Sequence, residues 1–150
     1  MSTDKSTKYE SADLILKLYD LRREETMRKA RQWFAAFNPQ SAQDIVEAMG
    51  GEHSAYFRMV TSYWDMAAAL VEQGAIDEEM FNETNGEHAF VFAKIEPHLE
   101  ELRAMFGPQV LPNLERVVMR LPNAKERLAH LREMMKKMAE RRAQAQAGDK

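Results

Sequence analysis

Between Glu52 and Gln73 the chain places apolar side chains at Tyr56, Phe57, Met59, Val60, Tyr63, Trp64, Met66, Ala67, Leu70 and Val71. On a helix these positions surround nearly the whole cylinder. They leave Arg58, Thr61, Ser62, Asp65 and Glu72 as a narrow polar stripe. A helix that is apolar almost all round has to be enclosed by others, so this segment demands a shell of amphipathic helices. The flanks supply them. Ser11 reads as the N-cap of a long first helix to about Phe37, with Leu14, Ile15, Leu18 and Leu21 at helical spacing. The run Arg22-Arg23-Glu24-Glu25-Thr26 interrupts its apolar stripe, and a bend is one outcome there. Shorter helices follow at 41–50 and 77–85. A further one at 87–106 carries Pro97, which predicts a kink or break between Lys94 and Pro97. Segments 112–121 and 124–143 read as the last two helices. No run alternates apolar and polar residues in the manner of a strand. The expected fold is all-α: an irregular bundle of five to seven helices around a central buried helix at 52–73, with long first and last helices.

At 150 residues the chain is long enough to bury one core and too short to favour two. Residues 1–10 read as a disordered leader, 11–143 as a single helical domain and 144–150 as a frayed tail. The chain holds no cysteine, which excludes disulfides, thiol nucleophiles and thiolate metal sites. No apolar run is long enough for a membrane span and the N-terminus has no secretory pattern, so a cytoplasmic location is expected. Charge falls in three blocks. Residues 1–39 hold 8 Lys/Arg against 6 Asp/Glu, residues 40–106 hold 3 against 13, and residues 107–150 hold 10 against 5. A middle block at −10 argues against nucleic acid as a partner. Blocks of opposite sign can pair within the chain or between copies of it.

The segment Tyr56–Phe81 runs an aromatic-rich helix into Gly74-Ala75-Ile76-Asp77-Glu78-Glu79-Met80-Phe81. Together with Leu16–Trp33 it resembles small uncharacterised bacterial all-helical proteins of the domain-of-unknown-function kind, over about residues 14–105. That resemblance implies no activity, cofactor or catalytic residue.

Three sets of residues are candidates for function. Arg58, Ser62 and Asp65 could line a polar groove beside Tyr63 and Trp64, with a guanidinium and a carboxylate fixing a small polar ligand. The tripeptide Gly-Glu-His occurs at 51–53 and again at 86–88, so His53, Glu87 and His88 are candidate ligands of a metal if the two copies meet. Against this, glutamate at a helix start is ordinary dipole chemistry. The third set is apolar: Leu14, Leu18 and Leu21 near one end, Leu128, Leu131, Met135 and Met138 near the other. The latter four are spaced three and four apart in the manner of a coiled-coil seam. No Glu-x-x-His pair, phosphate-binding glycine loop or nucleophile elbow is present, and no cofactor motif. The leading expectation is therefore an interaction or assembly module, with itself or another protein as partner. The alternative is a small-ligand-binding or metal-dependent protein.

Overall fold

The computed structural model of the chain describes residues 5–149. Among these residues there is no strand. Nine α-helices and one 3₁₀ turn follow in the order α1 (Lys8–Leu21), α2 (Glu25–Ala36), α3 (Ala42–Gly50), α4 (Ser54–Glu72), α5 (Glu78–Thr84), α6 (Glu87–Ile95), the 3₁₀ turn (Glu96–His98), α7 (Leu99–Phe106), α8 (Pro112–Met119) and α9 (Ala124–Gly148). The all-α class holds, and α4 is the central helix, packed on α2, α3 and α8. Trp64, Val60, Ala67 and Ala68 on α4 are wholly out of solvent, together with Ile45, Phe81, Phe92, Leu114 and Val117 from the surrounding helices.

Two of the expected segments are divided, the first against expectation and the second at the break expected near Pro97, which accounts for nine helices rather than seven. The first helix ends at Leu21 and restarts at Glu25, because Arg22, Arg23 and Glu24 offer nothing to bury. Glu24 makes the restart: its carboxylate accepts from the Thr26 amide at 3.0 Å and the Met27 amide at 2.9 Å. The expected long first helix is thus a pair, and α9 alone is long. The second division is the 3₁₀ turn around Pro97, whose missing N–H cannot continue the helical ladder.

The boundaries also differ from expectation. Thr7, not Ser11, caps α1, in a capping box with Glu10: the Glu10 amide donates to Thr7 Oγ1 at 3.1 Å and the Thr7 amide to Glu10 Oε1 at 2.9 Å. Ser11 is buried instead, where its hydroxyl meets Ser6 and accepts from the Asp77 amide at 3.0 Å. Ser6 ties the same strand of chain to the joint after α4, donating its amide to the Gly74 carbonyl at 3.0 Å. Residues 5–10 of the expected leader are therefore bound into the fold, while residues 1–4 lie outside the described residues. At the other end α9 continues past residue 143 to Gly148. The α4–α5 joint turns on Gly74 (φ +78), a left-handed conformation that favours glycine. Asp77 then caps α5 by accepting from the Met80 amide at 2.9 Å.

Trp64 fills the centre with no exposed area, so Trp64→Ala is expected to destabilise the fold by about 3–5 kcal/mol. Urea unfolding at pH 7 measures this. A loss below about 1 kcal/mol would show that α4 is not the centre of the core.

Candidate functional site

The indole of Trp64 is buried, and its N–H still needs an acceptor. Nε1 donates to Glu87 Oε1 at 3.3 Å, which brings the first residue of α6 to the middle of α4. The half-buried carboxylate is paired with Arg31 of α2. Nε donates to the two carboxylate oxygens at 2.9 and 3.1 Å, and Nη2 donates at 2.6 Å. Arg31 also reaches back to the Arg22 carbonyl at 3.3 Å. Arg22 in turn lies over the rings of Tyr19 and Trp64, at 4.9 and 5.6 Å from their centroids, and donates to Asn85 Oδ1 at 3.0 Å. The neighbouring Tyr63 donates its hydroxyl proton to the Leu18 carbonyl, and burial pushes its phenol up to about 12. The node joins the α1–α2 break to α4 and α6.

Glu87 and His88 are adjacent on α6 and face different ways. His88 is 2 % exposed, packed on Phe81 and Trp64, with Nε2 at 3.3 Å from Asn82 Oδ1. Its Nδ1 is buried without a partner, and desolvation pulls its basicity down to about 4. The neutral tautomer with the proton on Nε2 satisfies Asn82 and leaves Nδ1 as a bare lone pair. His53 stands elsewhere, stacked between Trp33 (5.3 Å) and Tyr56 (5.9 Å), and Phe37 extends the stack on Trp33 at 4.9 Å. The structure does not assemble His53, Glu87 and His88 into a metal site. Among the described residues no group of three or more His, Asp or Glu side chains is arranged to hold an ion.

Arg58, Ser62 and Asp65 do line one groove, of about 490 Å³, but its other walls are largely apolar: Ile45, Met49, Phe57, Ile95, Leu102 and Phe106 among them. Tyr63 and Trp64 point away from it, because consecutive residues on a helix lie about 100° apart. Asp65 is engaged in structure. Helix α8 starts after Leu111, which sits in the left-handed region (φ 48) and offers no side-chain cap. Asp65 caps it from α4 instead, accepting from the Asn113 amide at 3.1 Å, the Leu114 amide at 2.9 Å and Asn113 Nδ2 at 3.2 Å.

A larger groove, about 610 Å³, runs between α2, α6 and α9. Phe34, Phe90, Val91, Met135 and Met138 form its apolar surface; Arg28, Arg31, Lys94 and Arg142 are its cations. Lys94 is buried, and its ammonium donates to the carbonyls of Phe34 (2.7 Å), Ala35 (3.1 Å) and Phe37 (2.7 Å), closing the C-terminal end of α2. Burial, with Arg142 nearby, lowers its basicity to about 8. Sequence reasoning missed Lys94. A lone lysine between Val91-Phe92-Ala93 and Ile95 was the signal available.

The apolar seams divide between core and surface. Leu18 and Leu128 are buried in the chain's own core, and Leu14, Leu131 and Met135 pack against it. Leu21 and Met138 remain exposed, as do Tyr9, Leu16, Tyr19 and Met134.

Residues 9–121 match the sequence profile of a family described as a domain of unknown function, DUF4760. The chain belongs to this family. No curated protein and no solved structure matches it. The DUF4760 match takes in α1 to α8 and the whole Trp64–Glu87–Arg31 node, and it ends before α9. No helix among the described residues is long and apolar enough to cross a membrane.

Two outcomes follow from this geometry. His88 stays neutral in the fold down to about pH 4, whereas in the unfolded chain it takes a proton near 6.5. Stability is therefore expected to fall as pH drops from about 6.5 toward 4, by at most about 1.4 kcal/mol per pH unit. Urea unfolding of His88→Gln should have a flatter pH dependence in that window; an unchanged slope would remove His88 as its source. Asp65→Ala is expected to cost about 2 kcal/mol by uncapping α8. Hydrogen exchange should then locate the loss in residues 112–119.

Proposed function

We infer that this chain is a helical interaction module that self-associates through the outer face of α1. What supports the reading is the exposure of that face. Tyr9 is 89 % exposed, Leu16 66 % and Tyr19 48 %, all on one helix of 14 residues. Their positions are seven and three apart, so the side chains form one stripe of the kind that helix pairs bury. The adjoining face of α1, with Ile15 and Leu18, holds the helix to the core. The stripe is displaced by about half a turn from the Leu14, Leu18 and Leu21 seam expected from periodicity alone, because Leu18 is needed inside.

Charge does not choose the partner face: Asp13 is paired with Lys17 at 3.0 Å, and Arg22 and Arg23 lie over the Tyr19 ring at 4.9 and 5.7 Å, so cations as well as carboxylates border the stripe. The groove between α2, α6 and α9 favours a second reading, a small-ligand site.

Sedimentation velocity over a hundredfold range of concentration tests assembly. A rising sedimentation coefficient is expected for the unaltered chain. It should be lost in Leu16→Glu, whose side chain is solvent-facing and whose unfolding free energy should shift by less than about 1 kcal/mol. A chain that is monomeric at every concentration would overturn the reading.

A further inference from the structure

Two cations of the large groove converge on a single oxygen. Lys94 Nζ is 3.1 Å from the Ala35 carbonyl oxygen, and Arg142 Nη1 is 3.4 Å from the same atom. The two charges are no farther apart than those two bonds laid end to end. Among the described residues neither has a carboxylate partner; the carbonyls around Lys94 are neutral and leave its charge in place. At the other end of the groove Arg31 is neutralised by Glu87, which leaves Arg28 as the single free cation there among the described residues. One end is thus doubly positive. Between the ends lie Phe90, Val91, Met135 and Met138. Like charges held close together repel, and an anion placed beside Arg142 relieves both. A planar carboxylate suits the guanidinium fork of Arg142. An alkyl chain suits the apolar stretch, where methionines adapt to its shape. The volume, about 610 Å³, lies within the range of small-molecule sites.

We propose that the groove between α2, α6 and α9 binds a free single-chain amphiphile with an anionic head, of the medium-chain carboxylate class. The head sits on the Arg142 guanidinium, within the field of Lys94, whose own three donors are taken by carbonyls, and the chain runs over Phe90, Met135 and Met138 toward Arg28. The proposal does not depend on self-association, since the walls of the groove come from one chain.

Isothermal titration calorimetry of the full chain with decanoate below its micellar concentration tests it, with decanol and decylammonium as probes of the same length. One saturable decanoate site per chain is expected. Arg142→Ala, an exposed position whose loss leaves the helix intact, should weaken binding about tenfold or more. Phe90→Asp should abolish it, and decanol should bind about tenfold more weakly than decanoate. Labelled methionine methyl groups at Met135 and Met138 should shift on titration while Met66 does not. The proposal fails if decanoate does not saturate by about 1 mM, if decanol binds equally well, or if Arg142→Ala has no effect. It also fails if the chain sediments with anionic vesicles but binds no free decanoate, which would make the groove a bilayer contact.

Discussion

A buried indole has one polar atom, and in this fold a chain of contacts begins at that atom. Trp64 lies wholly inside, so its N–H must be satisfied by protein. The acceptor is a half-buried carboxylate, Glu87, whose charge is offset by a cation. The cation, Arg31, comes from α2 and also holds the carbonyl of Arg22 at the break between α1 and α2. Each step follows from the cost of leaving the previous group unpaired. The α1–α2 pair, α4 and α6 thereby acquire a fixed relation. Apolar packing alone tolerates sliding of one helix against another, and the directional contacts at Glu87 select one register from those that packing allows.

Lys94 does for the C-terminal end of α2 what Arg31 does for its middle. The chain leaves α2 in an extended conformation at Phe37 because of the following Asn38-Pro39, so the last carbonyls are short of helical donors, that of Phe34 keeping only the Phe37 amide at 3.1 Å. One ammonium satisfies three of them. Since Lys94 belongs to α6, the same side chain also positions α6 against α2. The groove between these helices is therefore rigid on two sides, with its third side supplied by a helix whose far half is solvent-exposed. A site built in this way has fixed walls and one adaptable edge, a division of labour suited to a ligand of variable shape.

Reading the sequence in terms of periodicity located what periodicity controls. The near-complete apolar ring of 52–73 identified the central helix and Pro97 marked the turn before α7, whereas the polar run Arg22–Thr26 showed an interrupted stripe without showing that the helix divides there. Contacts between distant residues were not legible. Nothing in the run Phe90–Ile95 says that Lys94 meets the carbonyls of residues 34–37, and nothing near residue 65 says that Asp65 caps a helix starting at 112. Glu87 and His88 illustrate the same limit within one motif. The repeat of Gly-Glu-His marked the start of α6 correctly, but adjacent helical residues diverge, so the pair serves two environments: Glu87 the polar node, His88 the apolar interior. Faces were harder still. Leu18 and Tyr19 are neighbours of similar hydrophobic character, and only the packing of α1 decides that one is inside and the other out.

The extent of the family match separates two layers of the molecule. Residues 9–121 contain the central helix, the Trp64–Glu87–Arg31 node and Lys94, which together are enough to position α2 against α6. Met135, Met138 and Arg142 lie beyond that region, on α9. The two-walled cleft is thus built by residues within the domain, and its closure, the cation Arg142 and its methionines are added by the helix that follows. Leu128 anchors that helix to the core and leaves its later turns to lie across the cleft. Changes in the later turns of α9 can alter what the groove accepts while the Trp64 node is left undisturbed, because the two share no side chain other than Arg31 and Glu87, whose charges already cancel.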